Sequence, residues 1–132
     1  MTPAGLTTHA SRFGPKETMD RLVAAVTAHG MTTLARIDHA AAAASVGMAL
    51  RPTELLLFGN PRAGTPLMQA VQTLGIDLPL KALVWQDEAG ATWLGYNDPT
   101  WLAHRHGTLP GMDRTLDAMS TALLAVAQAA TS

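Results

Sequence analysis

Apolar residues recur at helical intervals in the segment that follows Pro15. They stand at i, i+3, i+4 and i+7, at Met19, Leu22, Val23 and Val26, a spacing that places them on one face of an α-helix. Proline suits the first position of a helix, and a glycine in the left-handed conformation commonly closes one. The pattern therefore predicts a helix that begins near Pro15 and ends at Gly30.

A different pattern, an unbroken apolar run over 55–58, occurs in TELLLF. Consecutive apolar residues point to both faces of a strand, so this strand is expected in the interior of a sheet.

Further along, KALVWQ-DEAG-ATWLGY predicts a β-hairpin over Lys81–Tyr96 that turns at Asp87–Gly90. Trp85 and Trp93 fall on its two strands and are expected to form a cross-strand pair. Such a pair is core if it faces the helices and a partner surface, commonly for a second subunit, if it faces solvent.

Capping and turn residues mark the remaining elements. They predict a short strand in Gly5–Ser11, a strand over Met31–Ile37, an alanine helix over Ala40–Ala44 capped by Asp38 and closed by Gly47, a helix over Pro66–Leu74 capped by Thr65 and ended by Gly75, a short helix capped by Asp98 and ended by Gly107, and a last helix from Met112 to about Ala129.

The resulting element order is β-α-β-α-β-α-β-β-α-α. Early alternation predicts parallel crossovers, and the hairpin adds an antiparallel pair. We therefore expect an α/β (α+β) fold, a compact two-layer sandwich in which helices pack on a mixed sheet, with the strand order left open. A chain of 132 residues suits a single domain spanning 1–132, with a core over about 5–107 and a C-terminal helix over about 112–129.

The amino-acid composition excludes several classes of function but does not identify one. The chain has no cysteine, which excludes thiolate catalysis and cysteine-ligated metal centres. Its formal net charge is −1 and its basic residues are scattered, whereas nucleic-acid binders carry a basic stripe. The start resembles no secretory signal, and no apolar run approaches the ~18 residues of a membrane span. The expectation is a soluble cytoplasmic protein with no nucleic-acid partner, no membrane partner and no cofactor.

The segment ELLLFGNPRAGTP carries Gly59 and Gly64 at the spacing of a nucleotide-binding phosphate loop. Such a loop needs a lysine after the second glycine and then a serine or threonine, which bind phosphate and magnesium. Here Thr65 and Pro66 occupy those positions, and Pro61 removes a backbone donor. The NTPase interpretation is therefore rejected.

A weaker ligand hypothesis survives at the same loop. A chain that leaves a buried strand and enters a helix presents free N–H groups and the positive end of the helix dipole. Asn60 adds an amide and Thr65 a hydroxyl beside Gly59 and Gly64. The alternative is that the segment is only a tight turn followed by a helix cap.

A second loop begins at Tyr96-Asn97 and enters a helix at Asp98. If its strand ends beside TELLLF, Tyr96 and Asn97 converge with Asn60, with His104 one helical turn further on and Lys81 at the same end. This would form a polar ligand site. The alternative is that Asn97 serves the turn alone and Lys81 is an ordinary edge charge.

The histidines do not predict a metal site. His104 and His106 are two residues apart, which on a helix points them in different directions. Zinc and iron sites need three or more converging ligands, and no such motif is present. No serine stands in a nucleophile elbow, and Asp87-Glu88 falls in a solvated hairpin tip.

Taken together, the motifs resemble the domain of unknown function 302 family over nearly the whole chain. The residues that carry the resemblance are Gly59-Asn60-Pro61, Gly64-Thr65-Pro66, Leu78-Pro79, Tyr96-Asn97-Asp98-Pro99 and the segment Ile37–Leu56. The resemblance implies a compact α/β domain, often dimeric, in bacterial and archaeal proteins. It implies no activity.

Three hypotheses therefore remain open. The first is a homodimeric module that binds a small polar or anionic ligand at the Gly59–Thr65 loop. The second is a structural or protein-interaction module with no small ligand. The third is a small enzyme that uses His104, Tyr96 or Lys81 for proton transfer, which requires these groups to share a pocket.

Overall fold

The computed structural model describes residues 2–107 and 110–132 of the chain; Met1, Thr108 and Leu109, which the predicted domain range also includes, lie outside the described residues. The strands are β1 (Leu6–Ala10), β2 (Thr32–Asp38), β3 (Thr53–Gly59), β4 (Leu80–Gln86) and β5 (Thr92–Asn97). The helices are α1 (Pro15–Ala28), α2 (His39–Ser45), α3 (Pro61–Ala70), α4 (Pro99–Arg105) and α5 (Asp113–Thr131), with a 3₁₀ helix (Gln72–Ile76) between α3 and β4. The predicted element order is confirmed.

The five strands form one sheet in the order β1-β5-β4-β3-β2, and each neighbouring pair is antiparallel. The two-layer α+β sandwich is thus confirmed, but the parallel pairs of the predicted mixed sheet are not formed. β1 and β2 do point the same way, as a crossover through α1 requires, yet three strands lie between them. The connections through α2 and α3 instead return the chain to the neighbouring strand in the opposite direction.

Helices α1 and α5 cover one face of the sheet and enclose the main core. The strands contribute alternate residues to this face, and the largest buried members are Met19, Leu22 and Val26 of α1, Leu56 and Phe58 of β3, Leu80 and Val84 of β4, Leu94 and Tyr96 of β5, and Leu123 and Val126 of α5. The Met19, Leu22 and Val26 stripe is the one that the helical spacing predicts. The apolar periodicity therefore fixes which side of α1 faces inward.

The opposite face of the sheet, here called the open face, is largely apolar. Trp85 and Trp93 lie directly opposite each other on it, which confirms the cross-strand pair. Both are only half-buried, as are the open-face residues Leu55, Leu57 and Leu83. The six-membered ring of Trp85 lies over Gly95, where an added Cβ would come within 3.0 Å of it. The absence of a side chain at Gly95 lets the indole lie against the sheet.

Helix α3 begins five residues earlier than the sequence pattern predicts. Asn60, rather than Thr65, is its N-cap, because the Asn60 Oδ1 accepts a hydrogen bond from the Arg62 N–H at 3.0 Å. Pro61 then occupies the first helical position, where a missing N–H costs nothing. Thr65 and Pro66 lie inside the helix, so the predicted cap at Thr65 is wrong.

Candidate functional site

A cavity of about 810 Å³ lies at the sheet edge where β3 ends and where β2 and β4 begin. Residues of α3 and α5 form its sides. The lining residues are His29, Met31, Thr32, Leu34, Gly59, Asn60, Pro61, Arg62, Ala63, Gly64, Thr65, Met68, Leu78, Pro79, Leu80, Arg114, Thr115, Ala118, Met119 and Ala122. The volume lies in the range of cavities that hold drug-sized molecules.

The charges around this cavity are of one sign. Arg62 and Arg114 line it, and no aspartate or glutamate is among the lining residues. Among residues 2–107 and 110–132, neither guanidinium has a carboxylate within ion-pairing distance. The chain as a whole carries a formal net charge of −1. The cavity is therefore a local concentration of positive charge with no internal counterion.

The rest of the cavity lining is largely apolar. Three methionines, Met31, Met68 and Met119, line the cavity with Leu78 and Leu80. Methionine side chains are flexible and polarizable, and they adapt to ligands of differing shape. The site thus combines a cationic part with an apolar part, which the sequence hypothesis of a purely polar site does not include.

The backbone donors that the sequence hypothesis assigns to the loop are already used. Besides the Arg62 N–H held by the Asn60 side chain, the N–H groups of Ala63 and Gly64 donate to the Asn60 carbonyl at 2.9 and 3.1 Å. Pro61 has no N–H. The predicted cradle of free amides is therefore wrong, and an anion at this end would be met by side chains. The Asn60 amide keeps its NH₂ group for such a contact.

Asn60 and Asn97 do lie at the same edge of the sheet, as the sequence hypothesis requires. β3 and β5 are both antiparallel to β4, so their carboxyl ends lie on either side of the start of β4. Of the eight residues predicted for the site, the cavity includes four: Gly59, Asn60, Gly64 and Thr65. The other four do not line it.

Tyr96 lies on the helix-covered face of the sheet, near a separate cavity of about 320 Å³. Its ring stacks on that of His9 with a centroid distance of 5.7 Å. Burial, with a smaller contribution from the negative charge of Asp98, raises the pKa of Tyr96 above its ordinary value. A phenol with a raised pKa is a poorer source of phenolate at neutral pH.

Lys81 and Asn97 face away from Tyr96, and His104 is exposed to solvent. Lys81 and Asn97 are on the open face, since their strand neighbours Ala82 and Tyr96 face the helices. Lys81 Nζ donates to the Asp77 carbonyl at 3.3 Å, and His104 is exposed on α4. The predicted convergence of these four side chains is therefore not formed, and the proton-transfer hypothesis loses the shared pocket that it requires.

One cluster of polar side chains was not predicted from the sequence. His106 Nε2 donates to the Asp77 carboxylate at 2.5 Å, and His106 Nδ1 lies 2.9 Å from the Thr73 hydroxyl. Arg105 Nη1 contacts both Asp77 oxygens at 2.8 Å. The only signal was the pair of histidines at 104 and 106, of which the second turns inward. The cluster joins the 3₁₀ helix to the end of α4.

The cavity residues that the sequence analysis did not predict do have recognisable sequence signals. Arg62 stands inside the loop that the sequence analysis singles out, and Arg114, Ala118 and Ala122 repeat at intervals of four along one side of α5.

Among residues 2–107 and 110–132, no group of three or more histidine, aspartate or glutamate side chains is placed to hold a metal ion. Nor does any described helix combine the length and the apolar character that a bilayer crossing requires.

The model of one protein family, the domain of unknown function DUF302, matches residues 7–126. The chain belongs to the DUF302 family. A crystal structure of an uncharacterized conserved DUF302 protein from Bacillus stearothermophilus has the same fold, with a TM-score of 0.86 over 97% of this chain and 99% of that one, at 22% sequence identity. The resemblance inferred from the loop motifs is confirmed.

Curated relatives of this DUF302 chain are named as fluoride-specific ion channels. It is 47% identical over 118 residues to the fluoride-specific ion channel FluC 1 of Brucella suis biovar 1 (strain 1330), and equally to FluC 2 of Brucella melitensis biotype 1 (strain ATCC 23456 / CCUG 17765 / NCTC 10094 / 16M). The match covers 89% of this chain but only 46% and 44% of those proteins. The chain thus spans less than half the length of the curated relatives it matches.

Proposed function

We propose that this DUF302 domain is a homodimeric binding module that holds a small anionic molecule in the cavity beside Asn60. The observation that carries the proposal is that Arg62 and Arg114 both line a cavity of about 810 Å³ whose lining includes no aspartate or glutamate. A guanidinium recognises carboxylate and phosphate through paired hydrogen bonds. An anion would therefore complete the charge balance that the protein leaves open at this site.

The proposal is tested by screening anionic metabolites for thermal stabilisation of the protein. A ligand that binds the folded state raises the melting temperature in proportion to the logarithm of its concentration. We expect Arg62→Gln and Arg114→Gln to abolish the stabilisation. Arg12→Gln is the matched control, because Arg12 is exposed and lies outside the cavity lining. Stabilisation that survives both cavity substitutions would remove this cavity as the site.

The dimer part of the proposal rests on the open face of the sheet. Five strands of five to seven residues cover about 500 Å² at ordinary strand spacing and rise. Two such faces packed together bury about 1,000 Å², near the lower bound for a specific interface. Leu55, Leu83 and Trp93 supply the apolar contacts there. A second copy of the same face matches it in size and in apolar character.

A second candidate function comes from the relatives, which are named fluoride-specific ion channels. We propose as this alternative that the chain acts together with a fluoride channel. Fluoride itself does not suit the cavity, since about 810 Å³ is far larger than a single halide ion needs. Growth in sodium fluoride is compared for cells that express a fluoride channel with and without this chain. Equal growth would exclude the alternative.

A further inference from the structure

We infer that the ligand of the cavity is an amphiphilic monoanion, an acyl chain that ends in a carboxylate. The inference rests on the proposed function and specifies its ligand. Two properties of the cavity support it: the distribution of charge and the chemistry of the walls. Each constrains a different end of the ligand.

The charged end of the ligand is set by Arg62 and Arg114. One lies in the first turn of α3 and the other in the first turn of α5, so the two helices bring their arginines to one cavity. The first backbone donors of α3 are occupied by Asn60, so the ligand is met by side-chain donors, among them the two guanidinium groups and the Asn60 NH₂ group. Planar guanidinium groups match the two oxygens of a carboxylate.

The apolar end of the ligand is set by Met31, Met68, Leu78 and Met119. A small, highly charged molecule such as citrate would leave these walls in contact with water or with its own polar groups. Burying a charge against apolar walls without partners is unfavourable, whereas burying a hydrocarbon there is favourable. A cavity of about 810 Å³ holds a head group and a chain together.

The small residues of α5 keep the cavity open. Ala118 and Ala122 line it, one helical turn apart, on the side of α5 that carries Arg114. Larger side chains at these positions would fill the space that a chain occupies. Ala129 lies further along the same helix, exposed and outside the lining, and supplies a matched position for substitution.

The test measures binding of hexanoate, octanoate, decanoate and dodecanoate by calorimetry, below the concentrations at which they form micelles. Each buried methylene is expected to lower Kd by about three- to fourfold until the cavity is full. Decanol, which has the chain without the charge, is expected to bind at least about tenfold more weakly than decanoate. Ala118→Phe should weaken decanoate binding by about tenfold or more, and Ala129→Phe should leave it unchanged.

Arg62→Gln should raise the Kd of decanoate by about tenfold and leave that of decanol unaltered. Binding of acetate and phosphate that depends on Arg62, with no dependence on chain length, would overturn the acyl-chain inference and leave the proposed function standing. Absence of binding by every anion, long or short, would remove the proposed function itself. Binding to vesicles of anionic lipid without binding of free decanoate would also overturn the inference.

Discussion

Asp77 and His106 are 29 residues apart in the chain, and their side chains share a hydrogen bond of 2.5 Å between Oδ2 and Nε2. The bond fixes the 3₁₀ helix against the end of α4. His106 is nearly buried there, with 8% of its side chain exposed, and Asp77 has 15% exposed. Because the partners lie on different elements, the pair stabilises tertiary rather than local structure.

This pair predicts an acid-dependent loss of stability. Burial acts to raise the pKa of Asp77, but the hydrogen bond from His106 and the charge of Arg105 outweigh it and hold that pKa below its ordinary value. A depressed carboxyl pKa stabilises the fold above the unfolded value of about 3.9, and this contribution is lost as the pH falls through the folded value. We expect Asp77→Asn to cost about 1–3 kcal/mol at neutral pH.

Urea unfolding of wild type and Asp77→Asn across the acid range checks this prediction. The difference in the free energy of unfolding should narrow as the pH falls below the unfolded value of about 3.9 and through the lower folded pKa of Asp77. Asp117→Asn is the control, since Asp117 is exposed and makes no ion pair among the described residues. A difference that stays constant down to the lowest pH would contradict the assigned role.

The helix cap at Asn60 is predicted to matter more for stability than Asn97. Asn60→Ala removes the bond to the Arg62 N–H and should lower the free energy of unfolding by about 1 kcal/mol. Asn60→Asp keeps an acceptor at the cap and should restore most of the loss. Asn97→Ala serves as the comparison, because the Asn97 side chain has no hydrogen-bond partner among residues 2–107 and 110–132. Equal losses at both asparagines would contradict the capping assignment.

Two glycines in strands test the packing of the open face. An added Cβ at Gly95 would meet the Trp85 ring at 3.0 and 3.2 Å, so Gly95→Ala should displace the indole and cost about 1–3 kcal/mol. At Gly59 the nearest atom to an added Cβ is Pro79 Cβ at 3.6 Å, an ordinary contact. Gly59→Ala should change stability by less than about 0.5 kcal/mol. Thermal unfolding followed by tryptophan fluorescence measures both.

A charge on the open face is predicted to dissociate the proposed dimer. Leu83→Asp places a carboxylate in the centre of that face and should shift the molar mass from dimer to monomer in light scattering. Ile76→Asp is the control, because Ile76 is 74% exposed and lies in the 3₁₀ helix, away from the sheet. Circular dichroism verifies that both variants fold. A monomeric wild-type protein, or a dimer that survives Leu83→Asp, would contradict the interface.

The strands and the main helices were predictable because their patterns are local. The run over 55–58 placed β3 inside the sheet, and β3 does lie between two other strands. The Asp87–Gly90 turn placed the hairpin correctly, with Trp85 facing Trp93. In each case the signal and the structure involve residues near one another in sequence.

The failures arose where two local signals competed or where distant segments meet. Asn60-Pro61 and Thr65-Pro66 both resemble helix starts. Helix α3 begins at Asn60-Pro61, so Pro66 lies inside the helix. The cavity brings Arg62 and Arg114 together from two helices, which no local pattern specifies. Strand direction was likewise wrong, because alternation of helices and strands does not determine which strands become neighbours.

The position of β1 affects how the chain folds during synthesis. β1 is made first, yet its pairing partner is β5; 87 residues separate His9 from Tyr96, whose rings stack. A nascent chain leaving the ribosome therefore carries β1 unpaired until β5 has been made. Long-range closure of this kind slows folding, so ribosome-bound intermediates that end before β5 should remain sensitive to protease at β1.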